Sequence, residues 1–64
     1  MTRMHIDELR LRYEAASEAY RRHTAKLLEH SKGGQLPAPQ ELVAEEESLH
    51  ELMRLRRELL DALR

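Results

Sequence analysis

The sequence predicts an all-α protein: an antiparallel two-helix hairpin that dimerises into a four-helix bundle. Both glycines and both prolines of the 64-residue chain lie in the central stretch 31–40. Each arm beside this stretch carries apolar residues at helical spacing. The apolar surface of the second arm is wider than one neighbouring helix can cover. We therefore expect a single domain over residues 1–64, with a helix at about 5–31, a loop at about 32–38 and a helix at about 39–63.

The first arm carries apolar residues at alternating intervals of three and four, which is the spacing of a helix that packs along one stripe. Charged pairs in the favourable order, Glu8 with Arg12 and Glu18 with Arg22, are predicted to support this helix from its outer side. The Gly33–Gly34 pair supplies a left-handed residue that ends it. The stripe comprises Ile6, Leu9, Tyr13, Ala16, Tyr20 and Leu27.

The second arm is predicted to begin at Pro39, because proline in the first helical turn has no N–H to leave unpaired. Its apolar residues cover about 180° of the helical wheel, whereas a simple surface helix carries a stripe of about 100°. One neighbouring helix cannot cover that arc, so we expect a second copy of the chain to cover the remainder. The predicted dimer interface comprises Leu42, Glu45, Leu49, Leu52, Met53, Arg56, Leu59, Leu60 and Leu63.

Two charges, Glu45 and Arg56, interrupt the apolar arc of the second arm. In an antiparallel pair of second helices they meet across a two-fold axis between His50 and Glu51. The alternative is that both charges extend to solvent at the bundle rim. Parallel dimers and larger assemblies also stay open. The antiparallel register opposes Leu42 to Leu59′ and Leu49 to Leu52′.

Composition limits the classes of function. The chain has no cysteine, which excludes disulfides and thiolate zinc sites. A net charge of −1 indicates no strongly basic nucleic-acid arm. No apolar run approaches the roughly 18 residues of a membrane span. The segment 1–6 lacks the apolar core of a signal peptide, so we expect a cytoplasmic protein. No glycine-rich phosphate loop and no Ser/His/Asp constellation is present, so we expect no enzymatic activity and no cofactor.

Histidines and glutamates suggest one metal motif and one titrating cluster. Glu47 and His50 match the Glu-x-x-His spacing of di-iron bundles, but they fall opposite the apolar arc, so we expect no metal site. Folding of the hairpin is predicted to bring Glu45 toward His23 and His30, where a carboxylate would raise their pKa values. The sequence leaves open whether these histidines sense pH or metal, or are polar flank residues.

We expect a small non-enzymatic homodimeric interaction or regulatory module that binds another protein, with Leu11 and Leu28 as exposed contacts off the main stripe. The alternative is an RNA- or DNA-binding regulator, since basic clusters lie at 20–23 and 54–57. In length and architecture the chain resembles RNA-binding hairpins of the Rop type, which form four-helix bundles. A metal-binding helical bundle is the third possibility. The possible nucleic-acid contacts are Arg21, Arg22, Arg54 and Arg57.

Overall fold

A computed structural model of the chain describes residues 3–64 and contains two α-helices packed against each other as a hairpin. Helix α1 spans Arg3–Lys32 and helix α2 spans Pro39–Ala62. The predicted all-α hairpin is therefore confirmed, and the helix bounds differ from the predicted ones by at most two residues. Within residues 3–64, neither helix is long and apolar enough to cross a membrane.

Helix α1 ends in a Schellman motif built by the two glycines. Gly34 has a φ of 74°, a left-handed conformation that costs glycine little because it has no Cβ. Its N–H donates to the carbonyl of Ser31 at 3.1 Å, and the next N–H, of Gln35, donates to the carbonyl of His30 at 2.9 Å. These two bonds satisfy carbonyls that the helix end would otherwise leave unpaired.

Helix α2 starts with a one-sided capping box. Ala38 occupies the N-cap position in an extended conformation, and Pro39 follows in the first turn. The Glu41 carboxylate reaches back and accepts a hydrogen bond from the Ala38 N–H at 3.0 Å. Alanine has no side-chain oxygen to return a bond, so Glu41 alone caps this end of the helix.

The contact between the two helices buries few side chains. Among the side chains that the structure describes, from residue 5 onward, only Leu9 and Leu55 are buried, at 4% and 3% exposure. The predicted stripe of α1 faces α2, and each of its other members is half-buried. The half-buried small and apolar residues of α2 that share the face of Leu55 are Ala44, Ser48, Leu52, Leu59 and Ala62.

Exposed ion pairs run along the outer sides of both helices. The predicted pair of Glu8 and Arg12 is confirmed, with 2.9 Å between Oε2 and Nη2. The predicted pairing of Glu18 with Arg22 is wrong, because the Glu18 carboxylate binds Arg21, one residue nearer, at 3.0 Å. Both spacings bring helical side chains together, and each exposed pair contributes only a few tenths of a kcal/mol.

Gly34→Ala is expected to destabilise the hairpin by about 1–2 kcal/mol, because alanine in a left-handed conformation brings its Cβ close to the following carbonyl. Gly33→Ala is the matched control. A Cβ at Gly33 meets its nearest atom, the His30 carbonyl oxygen, at an ordinary 3.7 Å. Thermal unfolding at one fixed protein concentration measures both, and equal stability of the two variants would contradict the role assigned to Gly34.

Candidate interaction surface

Helix α2 carries a second apolar face that α1 does not cover. This face, here called the exposed seam, lies roughly 110° around the helix axis from the face that contacts α1. Its residues recur at alternating intervals of four and three, the spacing of a coiled-coil contact. Its four largest exposed side chains, Leu42, Met53, Leu60 and Leu63, are between 48% and 62% exposed. The full seam comprises Leu42, Glu46, Leu49, Met53, Arg56, Leu60 and Leu63.

The hairpin divides the predicted dimer interface into two groups. Leu52 and Leu59 are half-buried on the side of α2 that meets α1, and Glu45 is half-buried near α1 as well. The remaining six residues of the predicted interface lie on the exposed seam. Their role as an interface stays a prediction, and the structure adds Glu46 to the same row.

Glu45 has a partner within its own chain. Hydrogen bonding to the Glu45 carboxylate, followed by burial, raises the pKa of Tyr20 above its ordinary value of 10.0, because both favour the neutral phenol. The Tyr20 hydroxyl of α1 therefore lies near the Glu45 carboxylate of α2. Glu45 is half-buried, at the border between the side of α2 that meets α1 and the exposed seam.

The exposed seam contains two charged residues, Glu46 and Arg56. Neither Glu46 nor Arg56 forms an ion pair with a side chain that the structure describes, although both are exposed. They lie ten residues apart, about 15 Å along the helix, so they cannot reach each other in one chain. Arg56 also lines a shallow depression of about 260 Å³, together with Met53, Arg57 and Leu60.

The exposed seam continues onto one flank of α1. In an antiparallel helix pair, the flanks that follow the contact stripe in the same rotational sense lie on the same side. By this geometry the flank of α1 beside the seam contains Ile6, Ser17, Thr24 and Leu28, and also the charged residues Arg10, Glu14 and Arg21. Leu28 is exposed as predicted, as is Leu11 on the outer side of α1. The apolar surface on this side of the hairpin therefore belongs mainly to α2.

The opposite edge of the hairpin is charged. Arg54 hydrogen-bonds to the carboxylates of Glu51 and Glu58, and all three side chains are solvated. Glu47 also falls on this edge by its position in the helix, and it is exposed. The contrast between the two edges indicates that only the seam side is suited to packing against another apolar surface.

Glu41 joins the loop to both helices. Besides the N-cap bond, its carboxylate oxygens lie 2.9 and 3.1 Å from Nε2 of His30 and 3.5 Å from Nζ of Lys26. The Ala38 N–H, followed by hydrogen bonding with His30, lowers the pKa of Glu41 below its ordinary value of 4.5, since both stabilise the carboxylate. The carboxylate that contacts His30 is therefore Glu41, one turn before Glu45, and the predicted approach of Glu45 to His23 and His30 stays a prediction.

The candidate nucleic-acid contacts are only partly available. Glu18 pairs with Arg21, and two glutamates pair with Arg54, which neutralises these two cations locally. Arg22 and Arg57 are exposed without such a partner in the described part of the chain. The four arginines therefore do not form a concentrated basic surface.

The Glu-x-x-His pair does not assemble a metal-ligand cluster. Glu47 and His50 are both exposed. Within the described residues, no group of three or more histidine, aspartate or glutamate side chains is placed to hold a metal ion. No protein-family model, curated protein or solved structure matches the chain.

Glu41→Gln is expected to lower stability at pH 7 and to flatten its dependence on acid. A carboxylate with a depressed folded-state pKa contributes stability that is present above the unfolded value and lost as the pH falls through the folded one. Wild type should therefore lose stability below about pH 4.5, where the glutamine variant loses less.

Urea unfolding from pH 7 to 3 measures the effect of Glu41→Gln, with Glu47→Gln as the control that removes an exposed carboxylate from the same helix. The control should keep the wild-type dependence on pH. An unchanged acid slope in Glu41→Gln would show that the contacts of Glu41 contribute nothing to folding.

Proposed function

We propose that this chain is a small non-enzymatic protein-interaction module that works as a homodimer, with two hairpins forming a four-helix bundle. The exposed seam carries the proposal. It gives helix α2 an uncovered apolar row with coiled-coil spacing, and a second copy offers the same row in return. A two-fold symmetric contact needs such a self-complementary surface.

The exposed area of the single hairpin supports a partner of standard size. A compact monomer of 7.6 kDa is expected to expose about 4,300 Å². The hairpin exposes 5206 Å², which exceeds that value by about 900 Å². Each side of a typical stable complex buries about 800 Å². Packing of the seam side against a second copy accounts for an excess of this size.

Self-association leaves other apolar residues for a protein partner. Leu36 is 92% exposed in the loop between the helices, and Leu11 lies on the outer side of α1. Neither belongs to the exposed seam, so dimerisation leaves both accessible. An exposed loop held on a rigid scaffold is a common place for recognition residues, and the two-fold symmetry presents each residue twice.

Leu60→Glu is expected to raise the dissociation constant of the homodimer by about 100-fold or more. Each dimer loses two buried leucines, each of which contributes about 1.5–3 kcal/mol. Sedimentation velocity across nanomolar to micromolar concentrations measures the constant. Leu11→Glu is the control, because it makes the same substitution at an exposed leucine outside the seam and should leave the dimer intact. A folded wild-type monomer throughout this range contradicts the proposed function.

Leu36→Glu is expected to remove a bound protein partner while the dimer persists, because it places a charge at the most exposed leucine of the loop. Tagged wild-type and variant dimers are compared for the proteins that they retain from a lysate of the native host. Gln35→Glu is the control with a charge one residue away. Identical retention by wild type and Leu36→Glu would remove the loop from the proposed partner surface.

A further inference from the structure

We propose that the two copies pack helix α2 against α2′ in antiparallel orientation, with the two-fold axis at the level of Glu51 and with reciprocal ion pairs between Glu46 and Arg56′. The inference rests on the proposed homodimer and adds its orientation, its register and the residues that select them. In this orientation α2 and α2′ face each other along their seams, so the seam of each copy covers the seam of the other.

One register matches every central member of the exposed seam with a suitable partner. Residues meet when their numbers are equidistant from position 51 on opposite sides. Charges then face opposite charges, and apolar side chains face apolar ones. The resulting pairs are Leu42 with Leu60′, Glu46 with Arg56′ and Leu49 with Met53′.

Other arrangements of the same seam leave its charges mismatched. A parallel pair places Glu46 against Glu46′ and Arg56 against Arg56′, and like charges at an interface are repulsive. A shift of the antiparallel register by one heptad places Glu46 against Leu63′ or Leu49′, where the carboxylate is desolvated without a partner. The Glu46–Arg56′ ion pair adds little net stability, but the parallel and shifted arrangements lose it and are therefore less stable than the proposed register.

The proposed register differs by one residue from the one that the sequence alone suggests, in which Glu45 faces Arg56′. Glu45 is half-buried near Tyr20 of α1. Glu46 is the next residue, is exposed and is unpaired among the described side chains. A change of one residue in the register therefore gives Arg56′ a partner that is free to meet it.

The first helix accommodates the same two-fold axis. Glu41 contacts Lys26 and His30 across the hairpin, so Glu51, ten residues later, lies level with residues 16–20 of α1. Ser17 is on the seam side at this level. Its small side chain permits close approach of α1 and α1′ on the axis. Ile6 and Leu28′ are then equidistant from Ser17 and face each other.

Cysteine cross-linking tests the orientation directly, because the natural chain contains no cysteine. Leu42→Cys and Leu60→Cys chains are mixed, refolded together and oxidised. The antiparallel register places residue 42 beside residue 60′, so a disulfide is expected in the mixture. Neither variant alone should cross-link, because 18 residues, about 27 Å, separate identical positions. Sedimentation first verifies that both variants remain dimeric.

The cross-linking outcomes separate this inference from the proposed function. Cross-links within each variant alone would establish a parallel dimer and overturn the antiparallel register. No cross-link in any dimeric sample would indicate that α2 packs against α1′, which also overturns it. In both cases the homodimer itself stands, whereas a monomeric wild type would contradict the proposed function.

Charge exchange tests the ion pair in the same assay. Glu46→Arg and Arg56→Glu are each expected to raise the dissociation constant of the dimer about 10-fold or more, since each creates two like-charged contacts. The double variant restores both opposite-charge contacts and should return to within about 3-fold of wild type. Glu47→Arg is the control for Glu46→Arg, because it makes the same change of net charge outside the seam. A Glu46→Arg variant that matches this control would exclude the Glu46–Arg56′ contact.

Discussion

The apolar width of helix α2 is the constraint on which the structure depends. Two helices meet along one stripe each, and among the side chains from residue 5 onward that contact buries only Leu9 and Leu55. The remaining apolar residues of α2 cannot turn toward α1 without turning others away, because the helix fixes their angular positions. A third and a fourth helix are the simplest way to cover them.

The polar contacts have a different role, which is to fix the geometry of the hairpin. Glu41 accepts the N–H of Ala38, the N-cap residue of α2, and also contacts the side chains of His30 and Lys26 on α1. The Schellman motif at Gly34 sets the direction in which the chain leaves α1. These contacts determine which residues of α2 face α1, and they therefore determine which residues remain on the exposed seam.

The sequence predicts the features of the fold that depend on local signals. The glycines and prolines located the loop, and the spacing of Leu9, Tyr13 and Tyr20 gave the face of α1 that meets α2. It did not separate the two faces of α2, because a continuous apolar arc has no internal boundary until the neighbouring helix is positioned. The partner of His30 was missed for the same reason. Glu41 and Glu45 lie one turn apart, and the loop conformation decides which of the two carboxylates contacts His30. Whether Glu18 pairs with Arg21 or with Arg22 also depends on side-chain geometry, because both spacings bring helical side chains together.

The length of the hairpin, 49 Å along its principal axis, has a consequence for any partner that recognises the loop. In an antiparallel dimer the two loops lie at opposite ends of the bundle, so the two Leu36 side chains are far apart. One small binding protein cannot clamp both at once, and the gain of simultaneous engagement is lost when a linker cannot span the sites. Such a dimer would hold two separate molecules apart as a rigid bridge.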